Sequence, residues 1–150
     1  MKIILKSNQL IDGTGSDPIK KSNLVIEKDK IIKISSDEQL TDEDLNNAEV
    51  IELKNGTILP GFIEMHSHIH CSAQTDAYEH ITTESNETFL LRGSKAVRDT
   101  LASGVTTMRD LGSRNEVVFP IKDAISKNII PGPRLLAAGT PITTTGGHCN

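Results

Sequence analysis

His66 and His68 close the run Pro60-Gly61-Phe62-Ile63-Glu64-Met65-His66-Ser67-His68, and His70 follows two positions on. Residues 62–65 are nearly all apolar, the pattern of a strand buried on both faces in a parallel sheet. Strand side chains alternate with a period of two, so imidazoles at 66 and 68 project to one side and can converge on one cation. Neutral imidazole suits divalent ions of borderline softness: zinc, iron, nickel or manganese. A bare His-x-His is more often a pair of surface or core histidines; the context, an apolar strand before the pair, Pro60-Gly61 ahead of that strand and polar loop after it, brings metal binding level with ordinary packing. His70 reads as a loop histidine near the same mouth rather than a third ligand.

Other chemically suggestive residues carry less. Arg109 and Asp110 end a strand and read as an internal ion pair. Gly13-Thr14-Gly15 has no helix behind it and is not a phosphate loop. Cys71 and Cys149 are too few and too far apart for a disulfide scaffold, which fits a reducing compartment. With no catalytic base identifiable near it, Cys149 reads as a buried thiol.

The elements that must position the histidines fall into two blocks. Residues 2–5, 24–27, 30–34 and 50–53 are short β-branched or aliphatic runs separated by turn residues, and such closely spaced strands suggest a small sandwich or barrel-like sheet. Asp12-Gly13 and Asp17-Pro18 mark one turn, Lys28-Asp29 a hairpin and Asn55-Gly56 a further turn. From residue 57 the pattern becomes strand, helix, strand, helix, strand. The strands fall at 62–65, 105–109 and 135–138, and the helices at 84–103 and 116–127. Gly104 is placed to end the first helix, and Pro120 belongs in the first turn of the second. This alternation predicts an α/β class with a parallel sheet and right-handed crossovers. Three strands are too few to close an eightfold barrel of about 250 residues, so the second block reads as an incomplete one.

The bulk composition narrows the partners. The chain has 150 residues, 36% apolar with 3% aromatic, so an aliphatic core is expected. A net charge of -4 with dispersed Lys and Arg argues against nucleic acid. Residues 37–49 are acidic and read as a solvated loop or short helix. No run is long enough for a signal peptide or membrane span, so a cytoplasmic protein without a membrane partner is expected.

Three segments, taken in order, resemble the amidohydrolase superfamily. Pro60 through His68 is similar to the signature that opens its catalytic barrel, Gly104 through Gly112 to its second strand, and Pro133 through His148 to its third strand and loop. The last points to the branch of imidazolonepropionase-like enzymes, Xaa-Pro dipeptidases and Arg/Lys carboxypeptidases. The resemblance implies a small N-terminal β-sandwich over 1–58 and the start of a (β/α)8 TIM-type barrel over 59–150, with its first three strands and two helices.

It also implies His66 and His68 as ligands of one or two divalent ions, and His148 as a substrate contact or else an ordinary loop histidine. Water activated by the metal would attack a C–N bond of a small molecule such as a dipeptide or N-acyl amino acid. The remaining ligands and the catalytic residues belong to later strands, beyond residue 150, so this stretch alone is expected to be inactive and to associate, a homo-oligomer being one form. The alternative is a non-catalytic remnant or scaffold. Glu64 stands where the family usually has Asp, one methylene longer.

Overall fold

The computed structural model describes residues 2–36, 39–71, 75 and 77–147, and the chain divides into two compact units after Pro60.

The first unit is built on strands β1 (Lys2–Leu10), β2 (Ile19–Glu27), β3 (Lys30–Ser36) and β4 (Ala48–Ile58), with one helical turn, α1 (Asp42–Leu45). The sheet order is β3-β2-β1-β4; β1–β2 and β2–β3 are antiparallel, and β1–β4 is parallel. Among the described residues of this unit there is one sheet. The second layer that a sandwich requires is not supplied by these strands. The cross-strand register aligns Ile51, Leu5, Leu24 and Ile34 in one row. Its outer members, Ile51 and Ile34, remain 39% and 41% exposed.

Asn55-Gly56 does not turn the chain. β4 runs through it with a bulge: Ser7 pairs with Leu53 and Gln9 with Thr57, so two steps of β1 face four of β4. The expected Lys28 turn is present, with Lys28 in the left-handed region at φ 58°. In α1, Thr41 and Asp44 form a capping box, the Thr41 hydroxyl receiving the Asp44 amide and the Asp44 carboxylate receiving the Thr41 amide.

The second unit contains β5 (Phe62–Ser67), α2 (Ala77–Thr83), α3 (Asn86–Ala102), β6 (Val105–Asp110), α4 (Asn115–Ser126) and β7 (Arg134–Ala137). Its three strands are parallel in the order β5-β6-β7. Ile69, Phe89, Val97, Met108, Val117, Val118, Ile121 and Leu135 form its core. On α3 the buried positions Phe89, Gly93 and Val97 recur every four residues, so one stripe faces inward. Gly93 lets the helices approach, since a Cβ there would lie 2.5 Å from Ile121 Cδ1.

Two helix boundaries depart from the sequence reading. The segment expected as one helix from 84 begins at Asn86, because extended Ser85 caps it by accepting from the Thr88 amide, and a separate α2 precedes it. Pro120 lies inside α4 rather than in its first turn, at the sixth helical residue. There it removes the bond to the Glu116 carbonyl, and burial of Val117, Val118 and Ile121 holds the helix nonetheless. Gly104 follows the α3 C-cap at φ 95° with its amide on the Leu101 carbonyl, as the sequence predicts. No helix among the described residues is long and apolar enough to cross a membrane.

Candidate functional site

The carboxyl ends of the three parallel strands are laced together by backbone bonds. The Leu111 amide donates to the Ser67 carbonyl, Ala138 to Asp110, and Ser113 to Gly139. These bonds bring the loop after β5 against the loops after β6 and β7, and all three histidines of the 66–70 segment stand there.

His66 is the fifth residue of β5 and His68 follows the strand by one position. Their rings meet edge to face with centroids 5.4 Å apart. Two imidazoles bound to one tetrahedral zinc, with nitrogens at about 2.0–2.1 Å from it, hold their ring centres at about 5 Å. The spacing therefore fits joint ligation. His66 is exposed and His68 half-buried, so the pair borders solvent. His68 Nδ1 lies 2.9 Å from the Gly112 carbonyl oxygen. A carbonyl only accepts, so Nδ1 carries the hydrogen and Nε2 keeps its lone pair. That is the tautomer an Nε2 ligand requires, fixed by a partner outside the ligand set. Glu64 bends back to accept the His66 amide at 2.8 Å, a bond within its own strand.

His70 is half-buried, its centroid 6.1 Å from that of His68 and its ring edge-on to Phe89. Burial lowers its pKa below the ordinary imidazole value of 6.5; His68 and Arg114 act in the same direction, and Asp110 opposes them. Its Nδ1 contacts Ser113 Oγ at 2.8 Å. Among the described residues no third His, Cys, Asp or Glu joins His66 and His68 in a metal-binding group. The pair fits a divalent ion as part of a ligand set. His148 and Cys149 lie outside the described residues.

Sequence reasoning misread Asp110. It forms no ion pair with Arg109, whose Nε donates to the Met65 carbonyl at 2.8 Å. Adjacent strand residues point to opposite faces, which separates the two side chains. Asp110 is fully buried and accepts three bonds: from the Ile69 amide at 2.7 Å, the Gly112 amide at 3.0 Å and Ser113 Oγ at 2.7 Å. It ties the loop carrying the histidines to the loop after β6. Gly112 is compelled by space: a Cβ there would sit 2.6 Å from Pro141 Cγ and 3.5 Å from the His68 ring. Arg114 was also missed. Its guanidinium donates to the Ile81 and Glu84 carbonyls and to Asn86 Oδ1, and lies 4.6 Å above the Phe89 ring. The only sequence signal for these roles was a carboxylate at a strand end before Gly-Ser-Arg.

Comparison with known proteins identifies the family. The sequence model of the amidohydrolase family matches residues 57–150. A crystal structure of a Xaa-Pro dipeptidase with bound methionine in the active site superposes with a TM-score of 0.85 at 31% identity, covering 100% of this chain and 36% of that one. The 5-methylthioadenosine/S-adenosylhomocysteine deaminase of Caldicellulosiruptor saccharolyticus is 34% identical over 68 residues, 45% of this chain and 16% of the relative. The dihydroorotase of Pediococcus pentosaceus is 29% identical over 76 residues, 51% of this chain and again 16% of the relative. The chain thus spans about a third of the dipeptidase structure and about a sixth of each curated relative.

Proposed function

Because the chain belongs to the amidohydrolase family, we propose that His66 and His68 are two ligands of a divalent ion, zinc first, in a hydrolase cleaving a C–N bond of a small substrate. The observation that carries this is the pair's geometry: rings 5.4 Å apart, with His68 Nδ1 donating to Gly112 so that Nε2 is presented. Bound there, the ion would acidify a water toward neutral pH and polarise the scissile carbonyl. The chain's own part is to stand the two imidazoles side by side, with His68 turned by Gly112, at the edge of solvent where a small molecule can reach them. A dipeptide or N-acyl amino acid stands ahead of a cyclic amide as substrate, in keeping with the likeness to a Xaa-Pro dipeptidase. His148 is proposed as a substrate contact.

The finer architecture is part of the same reading: β5, β6 and β7 with α3 and α4 are the opening of a (β/α)8 barrel, and the first sheet is one layer of a sandwich. Catalytic zinc sites use three protein ligands, and two imidazoles leave most of the coordination sphere to water. The 150 residues therefore bind zinc weakly and do not hydrolyse substrate unaided. Isothermal titration with zinc tests this, comparing the chain with a His66→Ala/His68→Ala variant. Weak binding abolished by the double substitution is expected. Zinc binding indifferent to it would remove the ligand assignment, and dipeptide hydrolysis by the chain would remove the claim of inactivity. Absence of zinc binding would favour a non-catalytic scaffold.

A further inference from the structure

We propose that Asp110 is a positioning residue that sets the tautomers of both His68 and His70, acting through Gly112 and Ser113. Its carboxylate can only accept hydrogen bonds, so the contact of 2.7 Å with Ser113 Oγ uses the one hydroxyl hydrogen that serine has. Ser113 must then accept from His70, which places the hydrogen of His70 on Nδ1, 2.8 Å away. The other carboxylate oxygen takes the Gly112 amide at 3.0 Å, and the carbonyl of that same residue receives His68 Nδ1 at 2.9 Å. One buried side chain thus holds in place, by two routes, the two acceptors that put hydrogen on Nδ1 of both rings and leave a lone pair at Nε2.

The third bond of Asp110, from the Ile69 amide, fixes the backbone between the two histidines. Asp110 and Ser113 are 0% and 1% exposed, so water does not compete for these bonds. His66 has no such tie: no hydrogen bond among the described residues fixes its ring. The consequence for metal affinity rests on the ligand reading above. Partners outside the ligand set typically alter affinity by about 10- to 100-fold.

The test is long-range nitrogen–proton correlation of the imidazoles in the metal-free, 15N-labelled chain at about pH 8, where free imidazole is neutral. The expected spectrum shows His68 and His70 as Nδ1–H forms and His66 as a mixture. Ser113→Ala should release His70 and leave His68 held. Asp110→Asn should release both and weaken zinc binding about 10- to 100-fold. An Nε2–H form of either ring in the unmodified chain would overturn the proposal, as would unchanged tautomers in Asp110→Asn. Should that variant not fold, Ser113→Ala decides: His70 released with His68 held supports the relay, and His70 unchanged overturns it. If the tautomers respond as expected but zinc binds none of these proteins, the ligand assignment fails and the positioning role stands.

Discussion

Arg114 gathers three oxygens around one guanidinium: the carbonyls of Ile81 and Glu84, and Asn86 Oδ1. It closes the junction between α2 and α3 while stacking over Phe89. Hydrogen bonds to charged groups contribute about 1.5–3 kcal/mol each before coupling. We expect Arg114→Met, which keeps the stem, to lower unfolding stability by about 2–3 kcal/mol in urea titration. An unchanged midpoint would contradict that role.

In the first sheet, the Lys33 ammonium and the Thr41 amide hold the Asp44 carboxyl at a pKa of about 2, below its ordinary 3.8. A depressed carboxyl stabilises the fold above its unfolded value and loses that contribution as pH falls through the folded one. The Asp44 contribution is therefore complete above about pH 4 and disappears toward pH 2. Midpoints measured across this range should fall less steeply in Asp44→Asn. Identical slopes would refute the linkage.

That His66 and His68 stand side by side was legible at this scale, because residues two apart along a strand share a face. The role of Asp110 was not, because its bond to the Ile69 amide joins residues 41 apart, while its neighbour Arg109 suggested a simpler pairing.

Among the elements, hydrophobic periodicity located every parallel strand and both long helices, since each buries one stripe or both faces. What it missed turned on individual polar and cyclic side chains. The Ser85 hydroxyl sets the start of α3 at Asn86, and the short α2 before it was not anticipated. Asn55-Gly56 makes a bulge because β1 continues to pair beyond it.

The packing of α3 on α4 gives a test. Alanine gains roughly 1 kcal/mol over glycine within a helix. At position 93 its Cβ would meet Ile121 Cδ1 at 2.5 Å. Overpacking of this kind costs about 1–3 kcal/mol. Gly93→Ala should destabilise the chain but become neutral or stabilising together with Ile121→Val, which deletes that methyl. Additive effects in the double-mutant cycle would show that the helices do not meet there. In the first sheet Asn23 and Ser35 are cross-strand neighbours, and both Asn23 amide atoms and Ser35 Oγ are buried without partners among the described residues. Asn23→Val should therefore raise stability by about 1–2 kcal/mol. A loss would mean that the amide is satisfied in solution.

For the molecule as a whole, each unit leaves apolar surface uncovered. In the second, Phe62, Ile63 and Met65 of β5 are 59%, 62% and 46% exposed, and β5 is the edge strand beside β6. In the first, Ile31 is 61% exposed beside Ile34. Open edges and contiguous apolar faces promote association. Sedimentation of the chain should show concentration-dependent self-association, and a monodisperse monomer would contradict this. The α/β class was readable from the sequence because it follows from the alternation of strand and helix periods after residue 57. The small sandwich or barrel-like sheet suggested by the closely spaced short strands is a single sheet among the described residues, and a second layer rests on the resemblance.

The proposed hydrolase role needs His66 and His68 to grip one ion jointly. X-ray absorption at the zinc edge, on the chain at saturating zinc, measures that directly. The expected spectrum has two imidazole nitrogens at about 2.0–2.1 Å, completed by oxygen and lost in His66→Ala/His68→Ala. Sulfur ligation, or an imidazole signal that survives the double substitution, would contradict it.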